Sequence, residues 1–93
     1  MGIIITNHAY QRAKERLRWS RDTINRMSEK AYESGIKHAD TTGRLNKYIT
    51  KLWFQRELAN NIRIYGENIF FFTGNTLLTV HQIPNNLKNH IKK

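Results

Sequence analysis

Residues 61–82, NIRIYGENIFFFTGNTLLTVHQ, limit what this chain can fold into more than any other stretch. Gly74-Asn75 is a two-residue hairpin signal, and Gly66-Glu67 puts glycine at the position where a type II′ turn needs a positive φ. Two such turns predict a three-stranded antiparallel meander and fix its register. Closing the first turn sets Tyr65 opposite Asn68, Ile64 opposite Ile69, Arg63 opposite Phe70 and Ile62 opposite Phe71. Closing the second sets Thr73 opposite Thr76, Phe72 opposite Leu77, Phe71 opposite Leu78, Phe70 opposite Thr79, Ile69 opposite Val80 and Asn68 opposite His81.

Side chains alternate across a strand, so this register sorts the meander into two faces. One carries Ile62, Ile64, Ile69, Phe71, Leu78 and Val80 and reads as the core. The other carries Arg63, Tyr65, Asn68, Phe70, Phe72, Leu77, Thr79 and His81. That second mixture of cations, rings and hydrogen-bonding groups suits a flat, anionic ligand, and it is expected to stay open. A slip of one residue would exchange the two faces.

Ahead of the meander the pattern is helical. The run Ile3-Ile4-Ile5 reads as a short edge strand, and Thr6 or Asn7 caps the helix after it. Ala9, Ala13 and Leu17 recur every four residues with Tyr10 beside them, a narrow stripe suited to close packing. His8, Arg12, Glu15 and Trp19 form a separate, more exposed stripe. Ser20 caps a second helix, buried through Ile24, Met27 and Ala31 and ended by Gly35 in the role of a C′ glycine. Residues 36–40 read as a connector. Thr41 or Thr42 opens a third helix with Leu45, Tyr48, Ile49, Leu52 and Trp53 on its apolar face. The expected fold class is therefore α+β, with N-terminal helices packed on one face of a C-terminal three- to four-stranded antiparallel sheet. Residues 1–93 make a single domain, and residues 84–93 form a basic C-terminal tail.

Lysine and arginine number 16 against 7 acidic residues, a formal charge of +9 on 93 residues. Such an excess favours an anionic partner: nucleic acid, a free nucleotide, an acidic protein or a membrane surface. The chain has no cysteine, which removes disulfides and thiolate metal sites. His8, His38, His81 and His90 lie at no zinc-binding spacing, so neither a metal nor a cofactor is expected. No apolar run has the length of a membrane span or a signal peptide, so no membrane partner and a cytoplasmic location are expected.

The remaining polar set is His, Arg, Tyr and Lys. Those groups suit phosphodiester cleavage without metal: a base for the 2′-OH, an acid for the leaving oxygen, and cations around the phosphate. The sequence His8-Ala9-x-x-Arg12-x-x-Glu15-Arg16, followed by the meander and by Thr79-Val80 ahead of Pro84, resembles a small RelE-like family. Members of that family open on a HAxxRxxER helix and close on a T-V strand near a proline, and the resemblance extends to small proteins of unassigned role in bacteria and their phages. The matching pieces cover about a third of the chain. What the resemblance implies is a barnase/RelE-like domain of toxin-like type, related to metal-independent ribonucleases that cut messenger RNA, inside a bacterial host. The departure from the pattern lies between Gly35 and Asn60, where a long third helix is inserted.

Three readings follow. In the first, the protein is a RelE-like ribonuclease or a decayed relative of one, with His8 and His81 as acid and base and Arg12, Arg16 and Arg63 on phosphate. In the second, it binds nucleic acid or a nucleotide without catalysis, with Tyr65, Phe70 and Phe72 stacking on bases. In the third, Phe70, Phe72 and Leu77 form a homodimer or partner interface. Arg12 and Glu15, three apart, also suit an ordinary helix ion pair.

Overall fold

The computed structural model describes residues 2–55 and 59–90. In chain order these form β1 (Ile4–Ile5), α1 (Asn7–Leu17), α2 (Arg21–Ser34), β2 (Ile36–Lys37) and a 3₁₀ turn over His38–Asp40. Then come α3 (Gly43–Gln55), β3 (Asn61–Tyr65), β4 (Asn68–Thr73), β5 (Thr76–Gln82) and a 3₁₀ helix over Asn85–His90. The described residues are thus α+β, with three α-helices and one five-stranded sheet in the order β1-β5-β4-β3-β2.

Both glycine turns form where expected. Gly66 and Gly74 take φ values of +61° and +59°, which an L side chain resists and glycine accepts. The β3–β4 register is the expected one, from Tyr65 opposite Asn68 to Ile62 opposite Phe71. The β4–β5 register holds only for Thr73 opposite Thr76 and Phe72 opposite Leu77. A β-bulge then adds one residue to β5, so Phe71 pairs with Thr79, Phe70 with Val80, Ile69 with His81 and Asn68 with Gln82. Beyond the bulge every β5 side chain lies on the face opposite to the expected one. Val80 joins the α1 side, and His81 comes opposite Ile69.

The sheet is mixed rather than antiparallel, because β1 runs parallel to β5 through Ile4–Thr76 and Ile5–Leu77. On the other edge β2 is a strand where a connector was expected, pairing Ile36 with Ile64 and Lys37 with Arg63.

The larger correction concerns the faces. Helices cover both of them. On one, Leu45 and Ile49 of α3 pack with Ile62, Ile64, Ile69 and Phe71, and Ile83 and Leu87 close the same cluster. On the other, Ala9 and Ala13 of α1 and Ile24 and Ala31 of α2 pack with Phe70, Phe72, Leu77 and Val80. The alanines let α1 lie close to the rings of β4. Phe70, Phe72 and Leu77 are each 0% exposed, so they meet neither a base nor a partner subunit, and the expected open face is a second core. The C-terminal tail contributes as well, since Leu87 is buried and Lys88 pairs with Glu67 at 2.8 Å. Residues 91–93, the last of the basic tail, lie outside the described residues.

Local chemistry explains the helix ends. Thr6 caps α1, its hydroxyl accepting the Ala9 N–H at 3.1 Å, and Ser20 caps α2 by accepting from Thr23 at 3.2 Å. Arg18 ends α1 in the left-handed region, with φ at 58°. That reversal takes Trp19 out of the His8 stripe and stacks it on Phe70, with ring centroids 6.1 Å apart. Gly35 ends α2 for a different reason than a C′ glycine does, because its φ is −67° and its backbone extended. A Cβ there would sit 2.5 Å from the Ala31 carbonyl oxygen and 2.9 Å from the Arg63 Cβ. Gly35→Ala is therefore expected to lower stability by about 1–3 kcal/mol, the usual cost of overpacking, as read by urea denaturation.

Candidate functional site

α1 is pinned to β5 at both ends. Near its start the Thr6 hydroxyl donates to the Leu77 carbonyl at 3.1 Å, and near its end Arg16 Nη1 donates to the Val80 carbonyl at 3.0 Å. β1 pairs only as far as Leu77, so Arg16 reaches a part of β5 that β1 leaves uncovered. With Ala9 and Ala13 turned to the sheet, 3.6 residues per turn leaves two polar flanks on the helix.

The first flank carries His8, Arg12 and Arg16 at four-residue spacing. Arg12 Nε donates to His8 Nε2 at 3.4 Å, and Arg12 Nη1 pairs with Glu15 at 3.0 Å. Gln11 Nε2 donates to the other Glu15 oxygen at 3.1 Å. The Gln11 amide, then Arg12, with a smaller effect from Arg16, hold the Glu15 carboxyl below the usual glutamate range. Arg16 Nη1 lies 3.3 Å from each ring nitrogen of His81. A guanidinium only donates, so the accepting nitrogen is whichever carries the lone pair. The His81 ring also meets the edge of Phe71, with centroids 5.5 Å apart. His8, Arg12, Arg16 and His81 therefore form one continuous strip across α1 and the end of β5.

The expected acid and base are held by different arginines. His8 partners Arg12, and His81 partners Arg16. Positions 8 and 16 are separated by about 12 Å of helix axis at 1.5 Å per residue.

The chain matches no protein-family model, no curated protein and no solved structure.

Of the other expected site residues, Arg63 lies apart from the strip. Its Nε donates to Asn61 Oδ1 at 2.9 Å, and its Nη1 donates to the Tyr32 carbonyl at 2.8 Å, near the end of α2. A cation at a helix C-terminus satisfies carbonyls left without an intrahelical partner. Arg63 thus fastens α2 to β3. Tyr65 is half-buried and packs against the α1–α2 cluster, and Phe70 and Phe72 lie inside it. Among the described residues no group of three or more His, Cys, Asp or Glu could hold a metal ion, and no helix is long and apolar enough to cross a membrane.

The second flank of α1 was not singled out by sequence. Tyr10, Lys14 and Arg18, again four apart, face the start of α2 across a cleft of about 800 Å³. The available signal was that spacing, hidden because Tyr10 reads as part of the apolar stripe.

Proposed function

We propose that this protein binds RNA along the strip formed by His8, Arg12, Arg16 and His81, on a scaffold of RelE-like type. The observation that carries this reading is the line of two arginines, each beside a histidine, along one exposed flank in a chain with a +9 formal charge. Arginines one helical turn apart can follow successive phosphates, and their paired N–H groups match a phosphate's oxygens. The histidines add donors at each end.

Among the described residues Glu15 is the carboxylate that this flank carries, and it occupies Arg12. A bound phosphate takes its place. Glu15→Gln is accordingly expected to tighten RNA binding a few-fold by releasing Arg12 and removing a repelling charge.

The direct test is fluorescence anisotropy of a labelled single-stranded RNA titrated across salt concentrations. Contact with three or four phosphates gives a log–log slope of about −2 to −3 for single strands. A flat salt response, or no binding at low salt, overturns the reading.

Arg16 beside His81 also supports a second reading, a metal-independent ribonuclease. His81 would take the 2′-OH proton as the 2′-oxygen displaces the 5′-oxygen from phosphorus, Arg16 would stabilise charge on the phosphate, and solvent water would protonate the leaving oxygen. RNA incubated with the protein in EDTA separates the two: shortening that disappears in His81→Ala supports cleavage, and intact RNA leaves binding alone.

A further inference from the structure

The α1–α2 cleft lies on the flank of α1 away from the His8–Arg16 strip and is built from different side chains. Three cations line it, Lys14, Arg18 and Arg21, with Tyr10, Trp19 and Ser20. Among the described residues no carboxylate lines it. At about 800 Å³ it falls within the range of small-molecule sites.

Its rings are held in place. The Tyr10 hydroxyl donates to Asn25 Oδ1 of α2 at 2.9 Å, tying the two helices together across the cleft. The Arg21 guanidinium lies over the Tyr10 ring, 4.1 Å from its centroid. Trp19 is backed by Phe70 and so presents an indole already fixed by the core. Positive charge beside fixed aromatic surface recognises a ligand that is anionic at one end and flat at the other.

We propose that this cleft is a nucleotide site, taking a base against Trp19 and its phosphates against Lys14, Arg18 and the Arg21 guanidinium that the Tyr10 ring holds. Three cations match a nucleoside diphosphate better than an uncharged nucleoside or a bare sugar phosphate. The ligand has two sources, a free nucleotide or one nucleotide of an RNA strand. The site does not depend on the RNA reading above, since it uses the opposite flank of α1.

Calorimetric titration with adenosine and guanosine 5′-diphosphates tests it, with adenosine, ribose 5-phosphate and pyrophosphate as the separate halves. At least one diphosphate is expected to bind about tenfold or more tightly than any half. In the NMR spectrum it shifts the Trp19 indole N–H and leaves that of Trp53 in place. The double variant Arg18→Gly, Arg21→Ala is expected to keep the fold, because glycine accepts the left-handed φ at position 18, and to lose about tenfold or more in affinity. Arg12→Ala is expected to bind the diphosphate as the parent does.

Failure of both diphosphates to bind at millimolar concentration overturns the proposal, and so does pyrophosphate binding as tightly as either of them. Unchanged affinity in a folded double variant, or equal loss in Arg12→Ala, overturns it as well. Labelled RNA identifies the source. If the double variant weakens RNA binding and the diphosphate competes with RNA, the occupant is a nucleotide of the strand. If RNA binding is unaffected while the diphosphate binds, the occupant is free nucleotide.

Discussion

Phe70→Ala is expected to destabilise the protein by about 3–5 kcal/mol. Phe70 is fully buried, stacks on Trp19 and packs beside Phe72, with ring centroids 6.1 and 6.5 Å away. Removing the ring takes away buried apolar area and leaves a cavity between β4 and α1, where the alanine contacts are too short to collapse inward. Small domains have total stabilities of about 5–15 kcal/mol, so much of the reserve disappears with this one side chain. Urea denaturation monitored by circular dichroism reads the loss as a lower midpoint. A base-stacking role for Phe70 predicts the opposite pattern, with stability nearly unchanged and RNA affinity reduced. A loss below about 1 kcal/mol would mean that the ring is not enclosed between sheet and helix.

The second large effect concerns binding. Arg12→Ala with Arg16→Ala is expected to weaken RNA affinity by about 10–100-fold at low salt and to make the salt dependence shallower by about 0.7 per lost phosphate contact. The cost to stability is small for Arg12, an exposed pair with Glu15. It is greater for Arg16, whose loss leaves the Val80 carbonyl without that donor. Circular dichroism and the thermal midpoint distinguish the two effects. Equal affinity in a folded double variant removes the strip as the RNA-binding surface.

Much of the frame was legible before the structure, and the reasons are local. Gly66 and Gly74 announce their turns because each needs a positive φ, and the Gly66 turn settles β3 against β4. Thr6 and Ser20 announce helix starts through oxygens that accept first-turn N–H groups. The bulge in β5 was not legible, since Leu78 and Thr79 suit a regular strand and no glycine marks the extra residue. That one residue accounts for the reversed positions of Val80 and His81.

Cover on the second face is hidden from the sequence for another reason. Helices that all precede the meander are free to share one face. The opposing signal was the unbroken run Ile69-Phe70-Phe71-Phe72, which is what a strand buried on both sides looks like. As for the site, the spacing of His8, Arg12 and Arg16 showed a common flank. Only the three-dimensional arrangement could bring His81 to Arg16 across 65 residues, give Arg63 to the end of α2 and open the α1–α2 cleft.

Strand β4 lies at the middle of the sheet, and the strands at both margins are two residues long. An isolated NIFFFT segment has the makings of a self-stacking, amyloid-prone peptide: strongly β-forming, uncharged and free of proline. In the folded chain it is paired on both sides and roofed by helices, and the stubby outer strands offer little backbone for another molecule to zip onto. The hazard is thereby confined to the interval between synthesis and folding, when β5 has yet to emerge and β4 has only one flank paired.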